Sequence, residues 1–348
     1  MDWLFSDYYT FENNLFFFHS VFGYPGKYSI TDNCISINYN LNINKKITGD
    51  YFDSFYSSGN IVFGLSTSGK NVAIIDLKKN KIEWIEIDAG ERAWGNYSCA
   101  TVYDGLLFAF TRQQGKLIII NEYGNVSYQK IPKDIFYGCL SNDLIWLFTK
   151  NSNNIYSYNL KNKKMMKNTT NIIFDDWFNV ALIDERIFVL DKNKILYLFD
   201  EKNFKFSKFL EFKVKDDIGK IISAGNKIIT LPNLGNSIYI IDKKTNDISV
   251  YNEYPKDFSY IGNSLWSRYS KYKKIEDVYI FAKRSGNYVL FINSKTGEFI
   301  WKKPEFPSKD EILKYKYFLG ENPIIEDEHG LNTYIKMINN LYKKGIMK

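Results

Sequence analysis

The sequence predicts an all-β fold of radially repeated four-stranded units, and three observations carry that reading. A two-residue polar turn followed at once by an apolar strand recurs seven times, at Asn13-Asn14, Gly59-Asn60, Asp104-Gly105, Asn142-Asp143, Asp184-Glu185, Gly225-Asn226 and Glu276-Asp277. Counted on the second turn residue, the successive gaps are 46, 45, 38, 42, 41 and 51 residues, a period that belongs to stacked supersecondary units. Aromatic residues make up 18% of the chain, and such side chains favour strands over helices.

Each unit has the same interior. A strand rich in small residues comes first, as in SCATVY (98–103), GCLS (138–141) and KIISA (220–224). The turn and its apolar strand follow, for example LLFAFT or LIWLFT, then a third run such as NVAIID, KLIIIN or YVLFIN. A second Asn/Asp/Gly/Thr turn leads into a fourth run that mixes charge with aromatics, as in KIEWIEI or EFIWKK. Short runs bounded by such turns are hairpins. Four strands per unit, with the smallest residues where strands crowd an axis, describe a seven-bladed β-propeller. The first unit is the poorest copy, so six blades is the alternative.

The best-preserved unit is GNYVLFINSKTGEFIWK (286–302), in which Thr296-Gly297 supply a turn and Trp301 follows. It resembles the quinoprotein-like (PQQ-like) or kelch-like class of propeller repeat, whose signature is an aspartate, a short spacer, Thr-Gly, hydrophobics and Trp. Asn293 stands at the aspartate position here; Asp76, Asp200 and Asp242 occupy it in other units, whereas Asn121 and Asn159 depart from it. The resemblance implies a propeller fold and transfers no catalytic residue, because propellers host unrelated functions.

The propeller is expected over residues 1–303, with a C-terminal helical extension over 304–348 packing on it. Pro304 and Pro307 end the strand pattern, and Ser308-Lys309-Asp310-Glu311 has the spacing of a capping box. Leu331, Tyr334, Ile335, Ile338, Leu341 and Tyr342 fall at helical spacing.

Composition removes several classes of function. The net charge is +7, but only five of the 46 basic residues are arginine and the lysines are dispersed. No basic stripe of the nucleic-acid-binding kind is present. Nucleic acid is therefore the weakest partner class, and it would require affinity that falls steeply with salt. Cys34, Cys99 and Cys139 form no close pair and no C-x-x-C pattern. No apolar run reaches the length of a membrane helix, and the first residues lack a basic n-region. A reduced, cytoplasmic, bacterial-type protein is expected, a monomer or one component of a complex.

Apparent catalytic motifs fail on context. GLSTSGKN (64–71) is close to a phosphate-binding loop, but a strand rather than a helix follows it. His19 and His329 are the only histidines, too few for a His-rich zinc site. Glu326-Asp327-Glu328 fits the positive end of a helix dipole better than a cation site. No catalytic residue, metal ligand or cofactor is assigned.

What remains is the end of the propeller where the loops approaching each inner strand meet the loops between second and third strands. Trp94, Asn96, Arg112, Trp177, Asn179, Trp266, Arg268 and Arg284 are the candidate partner-binding residues there. Trp and Arg are the side chains that anchor interfaces, and Trp94/Asn96 and Trp177/Asn179 share one spacing. The reading is a non-enzymatic scaffold that recognises a protein or peptide at this face. The alternative is a carbohydrate-active or other hydrolase or lyase using channel-mouth carboxylates such as Asp53 and Asp176.

Overall fold

A computed structural model describes residues 7–18, 25–37, 52–66, 69–90, 96–174, 179–214, 216, 218–232, 237–258, 272–282, 287–305 and 308. Twenty-eight strands form seven antiparallel four-stranded sheets, each from four consecutive strands. Blade 1 is β1 (Tyr8–Phe11), β2 (Asn14–Phe18), β3 (Pro25–Ser29) and β4 (Cys34–Ile37); blade 2 is β5 (Phe52–Ser58), β6 (Ile61–Ser66), β7 (Asn71–Asp76) and β8 (Lys81–Glu86). Blade 3 is β9 (Tyr97–Tyr103), β10 (Leu106–Thr111), β11 (Lys116–Ile120) and β12 (Val126–Lys130); blade 4 is β13 (Ile135–Ser141), β14 (Leu144–Thr149), β15 (Asn154–Asn159) and β16 (Lys164–Thr169). Blade 5 is β17 (Asn179–Ile183), β18 (Arg186–Leu190), β19 (Ile195–Asp200) and β20 (Lys205–Glu211). Blade 6 is β21 (Ile218–Ala224), β22 (Lys227–Pro232), β23 (Ile238–Asp242) and β24 (Ile248–Tyr251), and blade 7 is β25 (Lys273–Ile275), β26 (Val278–Ala282), β27 (Val289–Asn293) and β28 (Phe299–Lys302). The chain is thus a seven-bladed propeller, and the poorly patterned first unit is a complete blade.

The second strands explain why simple alternation is weak in the sequence. IVFGLS, LLFAFT and LIWLFT are buried at every position after the first, because blades cover both faces of a middle strand. Successive residues serve different cores. Leu107 and Ala109 pack toward blade 2 with Phe63, Leu65, Val72 and Ile74. Phe108 and Phe110 pack toward blade 4 with Ile145, Leu147, Tyr156 and Tyr158. The hydrophobic interior is a succession of such inter-blade layers. Outer strands such as β16, with only Met165 and Asn168 half-buried, are mostly exposed.

The third strand of five blades ends in Asp or Asn and that of blade 3 is followed at once by Asn121, and the structure gives the reason. The side-chain Oδ1 of Asp76, Asn121, Asn159, Asp200, Asp242 and Asn293 accepts two backbone N–H bonds of 2.7–3.1 Å from the following turn. Asp and Asn are equivalent here because only an acceptor oxygen is needed. Trp301, on β28, sits against Tyr251, Tyr254, Phe258 and Tyr288, and its Nε1 donates to Tyr251 Oη at 3.2 Å.

Among the described residues each blade is built from four consecutive strands, and contacts other than a shared strand join the first blade to the last. Tyr8 Oη donates to Ile280 O at 2.6 Å. The segment after β28 runs along the open edge of β4: Ile35 N donates to Glu305 O at 2.7 Å, Glu305 N to Asn33 O at 3.0 Å, and Asn33 Nδ2 to Lys303 O at 2.8 Å. Residues 303–305 therefore pair with the propeller, and the chain divides into compact units Met1–Phe306 and Pro307–Lys348, at the second of the two prolines. The expected C-terminal helices lie outside the described residues.

Candidate functional site

The loops that approach inner strands and the loops between second and third strands share one end of the propeller, and backbone bonds tie them together. Ala89 N donates to Gly69 O at 3.1 Å, Arg112 N to Asn96 O at 2.7 Å, Gln113 N to Ile135 O at 3.1 Å and Asn151 N to Phe174 O at 2.7 Å. Three of the eight candidate residues are described at this end: Asn96, Arg112 and Asn179. Trp94, Trp177, Trp266, Arg268 and Arg284 lie outside the described residues, as do Asp176 and the side chain of Asp53.

The three described candidates all reach across a blade boundary. Asn96 is fully buried, and its side-chain amide packs on Gly69 so closely that a Cβ there would come within 3.0 Å of Asn96 Cγ. Asn179, at the start of β17, donates from Nδ2 to Gly219 O on the neighbouring inner strand β21. The shared spacing of the two asparagines thus reflects a shared task, bonding or packing one blade against the next.

Arg112 carries a richer environment. Its guanidinium carbon lies 4.9 Å from the Phe136 ring centre and 4.7 Å from that of Tyr137, two rings at the start of β13 in T-shaped contact with centroids 5.0 Å apart. Lys150 Nζ, from the equivalent loop of blade 4, lies 5.4 Å from the same Phe136 ring. Two cations from two loops therefore converge on one aromatic pair, each such contact contributing about 0.5–1 kcal/mol. Burial pushes the Tyr137 phenol pKa up, partly offset by the charge and hydrogen bond of Arg112. Beside them, Tyr156 Oη donates to Asp134 Oδ2 at 3.4 Å. Ile173 is 58% exposed next to buried Phe174.

Phe136, Tyr137, Lys150 and Ile173 were not among the candidates drawn from the sequence. The available signal was Phe136-Tyr137 ahead of Gly138, a pair of large rings where an inner strand is expected to start small.

Inner-strand residues at the opposite end include exposed Leu140 and Leu182, which occupy equivalent ladder positions opposite Ile145 and Ile187. Cys99 and Cys139 lie on adjacent inner strands and are free thiols. Cys99 Sγ would be 2.3 Å from a Cβ on Gly138, so Cys99 faces that side of β13. Alternation turns Cys139 to the other side, where it packs with the Trp146 cluster. Burial, with a smaller contribution from Glu201, pushes the Cys139 thiol up to about 12, which disfavours the reactive thiolate. Among the described residues no group of three or more His, Cys, Asp or Glu side chains is placed to hold a metal, and no helix is long and apolar enough to cross a membrane.

No family model matches the chain, and no curated protein matches it in sequence. Solved structures resemble it in fold. A catalytically inactive histidine-to-alanine variant of virginiamycin B lyase from Staphylococcus aureus with quinupristin aligns at 12% identity and TM-score 0.58, covering 81% of this chain and 93% of that one. BamB from Moraxella catarrhalis aligns at 7% identity and TM-score 0.53, covering 87% and 85%. PorZ, a surface component of the type-IX secretion system of Porphyromonas gingivalis, aligns at 9% identity and TM-score 0.57, covering 89% of this chain but 39% of PorZ. At such identities the likeness is one of fold: this chain is a β-propeller of the same general architecture as these proteins.

Proposed function

We propose that the chain is a non-enzymatic binding propeller that recognises a protein or peptide through the loop end of blades 3 to 5. The observation that carries this reading is the convergence of Arg112 and Lys150 on Phe136 and Tyr137, with exposed Ile173 nearby. A cationic-aromatic cluster held by backbone-bonded loops, with an exposed aliphatic residue nearby, has the composition of an interface hot spot. Its fixed geometry lowers the ordering cost of binding. The fold neighbours give mild support, since one of them is a component of a secretion system.

The lyase neighbour bears on the enzymatic alternative through one residue type. That enzyme is inactivated by loss of a histidine, and the two histidines here, His19 and His329, both lie outside the described residues. The described loop end supplies cations, rings and amides together with carboxylates that have partners, Asp134 with Tyr156, Asp88 with Lys116 and Asp216 with Ser237 N. A cytoplasmic location accords with three unpaired cysteines.

The test is quantitative affinity capture from the source cells with the wild type and a Lys150→Glu/Ile173→Asp variant. A partner retained by the wild type and lost by the folded variant is expected. Identical capture by both would overturn the assignment to this end.

A further inference from the structure

The fourth strand of each blade forms the rim of the propeller. Outer strands leave a row of backbone donors and acceptors unpaired, and proteins guard such edges with lysine or by covering them. Five of the seven outer strands carry lysine: Lys81 in β8, Lys130 in β12, Lys164 and Lys167 in β16, Lys205 and Lys208 in β20, and Lys302 in β28. The two without any charge are β4 (CISI) and β24 (ISVY). The β4 edge is covered by the chain's own segment through Glu305. Among the described residues nothing pairs with β24.

The register of β24 defines what it offers. Asp242 N donates to Asp247 O at 3.0 Å at the hairpin, so the bonded pairs continue as Ile240 with Ser249 and Ile238 with Tyr251. Ile248 and Val250, in the non-bonded pairs, therefore direct their N–H and C=O groups outward. Their side chains are exposed, at 36% and 50%. Ile248 occupies the position in its hairpin that Ile35 occupies in β4, and it is Ile35 N that receives the covering segment. On the opposite face Ser249 is exposed and Tyr251 stacks on Phe299, ring centroids 4.3 Å apart.

We infer that the β24 edge pairs antiparallel with the β24 edge of a second copy of this chain, centred on Ser249. In that register each Ile248 exchanges both backbone bonds with Val250 of the second copy, and the four aliphatic side chains meet on one face. The strand is self-complementary because it carries no charge; like charges opposite one another would oppose the pairing. The edge alone buries less than the ~1,200 Å² of a standard interface, so the dimer is weak and concentration-dependent.

Sedimentation of the full chain over increasing concentration tests this. The wild type is expected to shift toward dimer. Ile248→Lys/Val250→Lys is expected to stay monomeric with unchanged circular dichroism, because both sites are exposed, and mixing it with Ile248→Glu/Val250→Glu is expected to restore a heterodimer. Ser249→Cys places two thiols at the symmetry centre, so mild oxidation is expected to cross-link it faster than the control Ser127→Cys on lysine-bearing β12. A wild type that remains monomeric into the high micromolar range, a lysine variant that dimerises like the wild type, or equal cross-linking of the two cysteine variants would overturn the inference.

Discussion

Asp7 and Lys273, from the first and last blades, close on one residue of the second. Asp7 Oδ2 accepts from Phe55 N at 2.8 Å, Lys273 Nζ donates to Phe55 O at 3.0 Å, and the two charges stand 3.8 Å apart. In an antiparallel strand one residue's N–H and C=O point the same way. The pair therefore satisfies the open edge of β5 and joins three blades. The Asp7 side chain is 1% exposed and that of Lys273 25%, so removing the carboxylate leaves a buried donor and a partly buried cation without it. Asp7→Ala is expected to cost about 2–3 kcal/mol in urea unfolding, the range for a hydrogen bond to a buried charge. Asp7→Asn, which keeps an acceptor for Phe55 N, is expected to cost less. An Asp7→Ala protein within experimental error of wild type would show that the ring closes without this node.

The turn carboxylates predict an acid response. Asp76, Asp200 and Asp242 are each held below the ordinary 3.8, for Asp200 first by hydrogen bonds from Asn203, for Asp76 and Asp242 first by turn backbone N–H groups. A carboxyl depressed in the folded state adds stability that is fully present above its unfolded pKa and is lost as pH falls through the folded value. Asparagine does the same bonding at positions 121, 159 and 293 and does not titrate. Asp200→Asn/Asp242→Asn keeps the turn bonds to Oδ1 but gives up those that Oδ2 accepts from Asn203 and Asn226. It is therefore expected to be somewhat less stable than the wild type near neutral pH and to lose less of its stability below about pH 4. Thermal melts across that range check it, and parallel pH profiles would contradict it.

Much of the fold is legible because its turns are chemically demanding. Asp104 and Gly105, like Asp184 and Glu185, have φ between 48° and 71°, the left-handed region that tight hairpins need. The one slip is instructive. The first turn is centred on Glu12 and Asn13, φ 45° and 58°, not on Asn13 and Asn14, since glutamate is an uncommon turn residue and the two asparagines mimic a turn pair. Gly225 shows a demand that no local pattern announces: a Cβ there would lie 2.1 Å from Lys295 O in the next blade. Of the candidate residues, Asn96, Arg112 and Asn179 fall at the end of the propeller where the repeat pattern places them. Asn96 and Asn179 look like ligands along the chain and prove to reach neighbouring blades. Lys150 meets Phe136 through the pairing of Ile135 with Thr149 inside blade 4, whereas Arg112 reaches the same ring from blade 3, a proximity across blades that sequence spacing does not encode.

Close packing of inner strands yields a third prediction. A Cβ on Gly138 would lie 2.3 Å from Cys99 Sγ and 3.0 Å from Cys99 Cβ. Gly138→Ala forces β9 and β13 apart and is expected to cost about 1–3 kcal/mol, the range for overpacking. Adding Cys99→Ala removes the sulfur but not the tighter of the remaining contacts, so partial recovery is expected. A double variant no more stable than Gly138→Ala would place the strain elsewhere.

The last prediction separates holding the blades together from binding. Arg112 has its Nε buried and its guanidinium against two rings of the next blade, whereas Lys150 lies over the Phe136 ring of its own blade. Arg112→Ala is expected to lower stability by about 1–2 kcal/mol through lost cation–π contact and packing. Lys150→Ala is expected to change it by no more than about 0.5 kcal/mol, as usual for a surface site. If the loop end is the partner-binding face, Lys150→Ala nevertheless weakens capture of the partner. Arg112→Lys, which keeps the charge but not the planar group that packs on the rings, is then expected to lose stability while retaining part of the binding. Unfolding midpoints and captured amounts measured on the same three variants resolve the two roles. Binding that simply tracks stability across all three would leave the cluster as inter-blade cement and move the partner site to another part of the propeller.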